Sequence, residues 1–250
     1  MIETWLAEAG RALQQRYGIN LSILYDGYDT GRFVTGLVTT VELSLIAIAL
    51  SMAIGLAGAF LVGSRHAPLR GAVRAYVQFF RNTPPLVQLY FFYFAVGSVL
   101  PSISDGHGGQ MPPISSFAWA VISLSLFAGA FNVEIFRAGI EAVPETTVEA
   151  AESLGYDRLQ IYRHVTLPLA LRVSLPALSN NLVNLVKTTS LAYAIGVPEL
   201  LYATSQIFSE ALNVREMMNV LLVSYFLLVG VLVWLMGRWE RALRIPGYHP

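Results

Sequence analysis

One strongly apolar segment in the second half of the chain carries a row of polar side chains. They are Asn180, Asn184, Lys187 and Thr188. Their spacing of four, three and one residues places them along one face of a helix. An ammonium group and two amides can bind a carboxylate and other polar atoms of a small solute. A charge inside a membrane costs roughly 3 kcal/mol and therefore faces a cavity or a partner. We expect either a solute path along this face or a structural ion pair between Lys187 and a carboxylate such as Glu42.

A second candidate for the path is Gln88, which interrupts another apolar segment. A side-chain amide among apolar residues either lines a polar path or forms hydrogen bonds between helices. The sequence leaves both alternatives open. Glu134 lies three residues before Arg137, and this spacing favours a structural ion pair.

The count of lysines bears on nucleotide chemistry. A phosphate-binding loop needs Gly, four residues and then Gly-Lys-Ser/Thr, so that backbone amides surround the phosphates. Lys187 is the only lysine and follows Val186, so the chain cannot form such a loop. We expect no catalytic residue and no cofactor in this chain. There is no cysteine, and Asp105 and His107 lack partners at metal-ligand spacing, so we predict no metal site.

Composition points to a membrane protein. Apolar residues make up 55% and charged residues 13%, whereas soluble domains carry roughly 25% charged residues. The net charge is zero and gives no argument for nucleic-acid binding. A membrane crossing needs about 20 mainly apolar residues. Five segments meet this requirement, so the predicted fold is an all-α membrane protein with five transmembrane helices. The predicted spans are residues 37–62, 80–100, 114–137, 173–197 and 216–237.

The distribution of arginine predicts the orientation, because cytoplasmic loops are enriched in basic residues. Arginines concentrate after the first and third predicted spans and at the C-terminus. We therefore expect the C-terminus in the cytoplasm and the N-terminus outside, with residues 1–32 as a short interfacial helix or a loosely ordered tail. Four charged residues would then lie on the outer side, as solvated surface or as a contact for a soluble binding protein. They are Glu199, Glu210, Arg215 and Glu216.

The connection at residues 140–170 is longer than a simple turn and predicts two short helices. Pro144 suits a first helical turn, and Gly155 suits the left-handed residue that ends a helix. Asp157 can cap the second helix, which Pro168 is expected to end. An amphipathic helical hairpin at the membrane surface is suited to docking a soluble partner.

The same connection carries a long motif with fixed spacing. Glu149-Ala150-Ala151, three residues, Gly155, nine residues and Val165-Thr166-Leu167-Pro168 resembles the EAA loop of ABC importer permeases, with Val165 in place of Ile. Thr146-Thr147 and Ala138 depart from the residues that are common in the subfamily of polar amino-acid permeases. The resemblance to polar amino-acid permeases covers roughly residues 33–245. It extends to Thr39-Thr40 with Glu42 and Ser44, Arg81 to Leu89, Glu134 to Arg137, and Lys187 to Leu191.

This resemblance implies a type I ABC importer permease in the bacterial inner membrane, carrying polar amino acids. It implies that an ATPase dimer, which binds ATP and Mg²⁺, docks on the EAA loop. It also implies a second permease, identical or similar, and an external solute-binding protein; neither the amino acid nor the pairing follows from the sequence. The docking residues implied are Glu149, Ala150, Ala151, Gly155, Leu167 and Pro168.

Two other classes of function remain as alternatives. A channel or secondary transporter would need coupling-ion carboxylates or broken helices in internal repeats, and we find no convincing repeat. A membrane scaffold would have no need for the polar face that includes Lys187. ATP dependence of uptake and neutralisation of Lys187 distinguish these classes.

Overall fold

The computed structural model describes residues 2–104, 106 and 109–243, and it is built almost entirely from helices. Asp105 and His107 lie outside the described residues. A short antiparallel pair, β1 (Ile103–Ser104) with β2 (Gln110–Met111), is the described strand structure. The all-α class is confirmed. The helices are α1 (Ile2–Tyr17), α2 (Gly27–Val62), α3 (Ala67–Asn82), α4 (Pro85–Tyr90), α5 (Ser116–Glu141), α6 (Glu145–Ser153), α7 (Arg158–Ile161), α8 (Leu167–Thr188), α9 (Leu200–Ala211) and α10 (Val214–Leu243).

Within the described residues, three helices are long and apolar enough to cross a membrane, namely α2, α5 and α10. A shorter apolar stretch, Pro85–Val96, combines α4 with a π-helical turn at Phe91–Val96. Helix α8 has 22 residues but is not among the three. Its asparagines and Lys187 lower its apolar character. The expected number of five crossings is therefore not met on length and composition alone.

Two sequence expectations about connections are corrected by the structure. The arginine-rich connection after the first span is not a loop, because residues Ala67–Asn82 form α3 with Pro68 in the first turn. Pro168 does not end the second helix of the hairpin. A π-helical turn at Tyr162–Thr166 follows α7 and leads directly into α8, so the backbone is helical from Arg158 to Thr188. Pro168 thus lies inside a continuous helical run, where it removes one backbone donor without ending the helix.

Close contacts group the chain into two units, and the first comprises Met1–Ile46, Leu89–Val121 and Val186–Gly230. In this unit α1 packs on a 3₁₀ turn at Ser22–Leu24. The side-chain amide of Asn213 donates to the backbone carbonyl of Asn20 at 2.9 Å and lies 3.3 Å from the Ser22 hydroxyl. The side-chain amide of Asn20 donates to the backbone carbonyl of Ala211 at 3.4 Å. The N-terminal segment thus contains a helix and a turn that is attached to the start of α10.

The second unit comprises Ala47–Gln88, Ile122–Leu185 and Val231–Pro250. Helices α2 and α5 approach closely in this unit. A Cβ atom added at Gly55 would overlap Asn132, and one added at Gly58 would overlap Val133. A Cβ atom at Gly129 would lie 2.7 Å from Ile54. Small residues that allow backbones to approach are typical of contacts between membrane helices.

Candidate functional site

Helices α6 and α7, the segment that the sequence predicts as a hairpin, are separated by a turn that contains Gly155. Gly155 has φ +84°, a left-handed conformation that favours glycine. The amide of Gly155 donates to the Glu152 carbonyl at 2.9 Å, and the amide of Tyr156 donates to the Ala151 carbonyl at 3.2 Å. These bonds satisfy carbonyls at the end of α6. Pro144 is the N-terminal cap of α6 rather than part of its first turn.

The second helix of the hairpin starts with a reciprocal cap. The amide of Gln160 donates to the Asp157 carboxylate at 2.8 Å, and the Asp157 amide donates to the Gln160 side-chain oxygen at 2.9 Å. This capping box satisfies two backbone donors of α7. The prediction that Asp157 caps the second helix is confirmed.

The hairpin presents an acidic and apolar surface. Ala151 and Ile161 are buried. Glu149 and Ala150 are exposed, whereas Leu167 and Pro168 are half-buried. Leu154 and Leu159 are 79% and 74% exposed. Among the predicted docking residues, Ala151 is therefore buried, whereas Glu149 and Ala150 are accessible to a partner.

The polar row on α8 faces away from the helix's buried side. Asn180, Asn184 and Lys187 are exposed, and Thr188 is half-buried. The opposite face of the helix is buried through Leu178, Leu182 and Leu185. Glu42 on α2 is also exposed. Among the residues that the structure describes, neither Lys187 nor Glu42 takes part in an ion pair. Within the described part of the chain, the structure therefore shows no ion pair between Lys187 and Glu42.

The side chain of Gln88 is hydrogen-bonded within the protein. It is buried, and its side-chain nitrogen lies 2.8 Å from the Phe80 carbonyl, 3.0 Å from the Thr83 carbonyl and 2.6 Å from the Thr83 hydroxyl. These acceptors lie at the C-terminal end of α3. Gln88 therefore ties the start of α4 to the end of α3.

The sequence-based reasoning missed a buried polar cluster that joins three helices. Asn132 on α5 is fully buried, and its amide nitrogen lies 3.3 Å from the Ser51 hydroxyl on α2. Asn181 on α8 donates to the Asn132 side-chain oxygen at 2.8 Å and to the Ala128 carbonyl at 3.1 Å. Asparagines in two apolar segments were the available signal, because such amides need partners.

Charged side chains form a chain of contacts at the end of α5. Arg137 contacts Glu134 and Glu141, each at 2.7 Å, which confirms the predicted Glu134–Arg137 pair. Arg81 lies 3.9 Å from Glu134 and stacks over the Phe131 ring. The cavity beside them has a volume of about 670 Å³. Its polar lining comprises Ser64, Arg74, Gln78, Glu134, Arg137, Glu141 and Tyr162.

Glu199 corrects the expectation of an exposed outer residue, because it is fully buried. Its carboxylate accepts hydrogen bonds from the amides of Leu201 and Tyr202 at 2.9 Å and from the Tyr225 hydroxyl at 3.0 Å. It is the N-terminal cap of α9, a position at which an acidic side chain is favourable. Burial raises the pKa of Glu199 above its ordinary value, although the three donors oppose this shift.

The other predicted outer residues form ion pairs in the first unit. Glu210 contacts Arg32 at 2.7 Å, and Glu216 contacts Arg215 at 2.8 Å. Glu210 and Arg215 are exposed, whereas Glu216 is largely covered.

Comparison with known proteins supports one family. Residues 52–245 match the family described as the binding-protein-dependent transport system inner membrane component. The probable amino-acid permease protein YxeN of Bacillus subtilis is 30% identical, over 85% of this chain and 92% of that protein. The probable glutamine ABC transporter permease protein GlnM of the same organism is 32% identical, over 79% and 86%.

A solved structure agrees with these relatives. The crystal structure of an amino acid ABC transporter with histidines contains a chain that is 29% identical to this one, with a TM-score of 0.73. The match covers 85% of this chain and 94% of that chain. From the matched residues and the shared fold, the chain belongs to the family of inner membrane components of binding-protein-dependent transport systems.

Proposed function

We propose that this chain is the permease subunit of an ATP-driven importer of polar amino acids, forming half of the path and docking the ATPase through its EAA loop. One observation carries the proposal. The second helix of the hairpin continues without a break into α8, which bears the exposed polar row. The names of relatives that refer to amino acids and glutamine support the substrate class.

The continuous backbone offers a direct mechanical link. Residues Arg158 to Thr188 span about 45 Å at roughly 1.5 Å per residue. A movement of the hairpin driven by ATPase closure would therefore move the helix that carries Asn180, Asn184 and Lys187. ATP hydrolysis belongs to a separate subunit in this family. The proposed docking surface is Glu149, Ala150, Ala151, Gly155, Leu167 and Pro168.

The proposed arrangement in the membrane has five crossings, with the N-terminus outside and the C-terminus in the cytoplasm. The crossings beyond α2, α5 and α10 would be the apolar stretch Pro85–Val96 and helix α8. The concentration of arginine supports this orientation. In this proposed orientation the EAA hairpin would lie on the side of the ATPase, and Glu210 would lie on the side of a solute-binding protein.

A second permease would complete the path. The polar face of α8 is exposed in a single chain, although it lies in an apolar segment. A charged side chain inside the membrane needs water or a partner. If the polar faces of α8 from two permease subunits enclosed a water-filled path, Lys187 would have both. In this path Lys187 binds the carboxylate of the amino acid, and Asn180, Asn184 and Thr188 bind its other polar atoms. Glu42 belongs to the same proposed path, whereas the buried position of Gln88 favours support of the helix ends.

Transport by reconstituted complexes tests this proposal. The chain, its ATPase and its solute-binding protein are reconstituted in liposomes with ATP on the ATPase side. We expect uptake of at least one labelled polar amino acid that requires both ATP hydrolysis and the binding protein. Uptake that continues with a non-hydrolysable ATP analogue would instead indicate a channel or secondary transporter. Absence of uptake for the whole set of amino acids would contradict the proposed substrate class.

A further inference from the structure

A groove runs along the first part of α10 in the first unit. It has a volume of about 720 Å³ and lies between residues 17–21 and the helix. Its walls include Ile19, Leu21, Val220 and Val223. The hydrogen bonds from Asn213 to Asn20 and Ser22 attach the N-terminal wall to the start of α10. The groove is therefore preformed in the folded chain.

Hydrocarbon is the natural medium around this groove. Helix α10 is one of the helices apolar enough to cross a membrane, and little of it is buried in the chain. Leu222 and Phe226 are exposed on the same helix. From Arg215 to Ser224 the groove follows α10 for about 13 Å. One leaflet contributes roughly 15 Å of hydrocarbon, so the groove has the length of an acyl chain in one leaflet.

The end of the groove carries two opposite charges. The guanidinium of Arg215 contacts the Glu216 carboxylate at 2.8 Å, and both residues line the groove. The Arg215 side chain is 75% exposed, whereas the Glu216 side chain is 11% exposed, so Arg215 offers most of the accessible surface of this pair. Basic side chains and amphipathic aromatic residues, here Tyr17, commonly lie where the headgroups of a bilayer begin.

We propose that this groove binds a phospholipid whose headgroup carries a primary ammonium, such as phosphatidylethanolamine. One acyl chain lies along Val220 and Val223, the phosphate contacts Arg215, and the ammonium donates to Glu216. Phosphatidylglycerol offers no cation for Glu216. The ammonium of phosphatidylcholine has no N–H to donate. The charge pair thus favours one class of headgroup over the two others.

Lipid retention in bilayers of known composition tests the proposal. The full chain is placed in nanodiscs of equal parts phosphatidylethanolamine, phosphatidylglycerol and phosphatidylcholine, and then released and analysed by native mass spectrometry. We expect at least threefold enrichment of phosphatidylethanolamine over its share of the bilayer. Val223→Trp fills the groove and should abolish this enrichment. Leu222→Trp, a similar change at an exposed position beside the groove, should leave it unchanged.

A separate variant tests the proposed contact between Arg215 and the lipid headgroup. Arg215→Gln should retain a lipid but lose the preference for phosphatidylethanolamine, while Arg238→Gln, an exposed arginine near the other end of α10, should retain the preference. Equal enrichment in wild type and Val223→Trp would overturn the proposal. A wild type that retains no lipid, with permease pairing lost in Val223→Trp, would also overturn it, because a second subunit would then occupy the groove.

Discussion

The side-chain nitrogen of Asn181 donates to the side-chain oxygen of Asn132 at 2.8 Å, joining α8 to α5 in the second unit. Asn132 is fully buried and Asn181 nearly so, whereas the adjacent Asn180 is exposed. Two consecutive asparagines therefore have different environments. Asn181 fixes the rotation of α8 about its axis, and this rotation directs Asn180 toward the open face.

Replacing Asn181 should reduce stability. Asn181→Leu removes the hydrogen bond to Asn132 and leaves a buried amide without that donor. Hydrogen bonds between membrane helices contribute about 0.6–1.7 kcal/mol, so we expect a lower thermal unfolding temperature of the detergent-solubilised chain. Asn180→Leu is the matched control and should unfold at the wild-type temperature while transporting more slowly. Equal destabilisation by both variants would contradict the assignment.

The close approach of α2 and α5 predicts a second stability effect. Gly55→Ala places a methyl group where it overlaps Asn132. Overpacking of this kind costs about 1–3 kcal/mol, and it should lower the unfolding temperature. Gly230→Ala on α10 is the control, because nothing lies within 4 Å of the added carbon. A Gly55→Ala chain as stable as Gly230→Ala would show that the two helices are not tightly packed.

Much of the fold follows from local sequence chemistry. Gly155 and Asp157 mark the hairpin because a left-handed turn and a capping box depend on residues close in sequence. The apolar segments likewise indicate α2, α5 and α10. The continuation past Pro168 was not predicted, because a proline inside a helix usually kinks or ends it and the preceding π-helical turn has no simple sequence signal.

The environment of individual polar residues was harder to predict. Periodicity identifies the row that begins with Asn180, but it cannot assign Asn181, which lies at the flank of that row and has its partner on a distant segment. Glu199 was expected on the outer surface because it is charged and lies between predicted spans. In the fold its carboxylate accepts a hydrogen bond from Tyr225, a residue 26 positions away. Contacts between distant segments decide both cases.

Glu199 should make stability depend on pH. Because burial raises its pKa in the folded chain, its protonated form is favoured by folding. The stability it contributes is fully present below the unfolded pKa, about 4.3, and is lost as pH rises through the folded pKa. Glu199→Gln changes the hydrogen bonds at every pH but removes this dependence. Unfolding temperatures should therefore fall with rising pH more in wild type than in the variant, and parallel curves would contradict the prediction.

Lys187 should affect transport rather than folding, since it is exposed and its apolar neighbours bury the other face of α8. We expect Lys187→Met to lower ATP-dependent uptake at least tenfold without changing the unfolding temperature or the amount of ATPase bound. Lys187→Arg keeps the charge and should restore part of the uptake. Wild-type uptake by Lys187→Met would remove this residue from the path, whereas loss of folding would indicate a structural role.

Co-purification with the ATPase tests the central claim most directly. The tagged chain is extracted with its ATPase and compared with a Glu149→Arg, Gly155→Trp variant, which reverses a charge and strains the left-handed turn on the hairpin. Glu240→Arg is the control, an equal charge reversal at an exposed site on α10. We predict that wild type and Glu240→Arg retain the ATPase, while the hairpin variant inserts in the membrane but loses it. Retention of the ATPase by the hairpin variant would place the docking site elsewhere and contradict the proposed coupling.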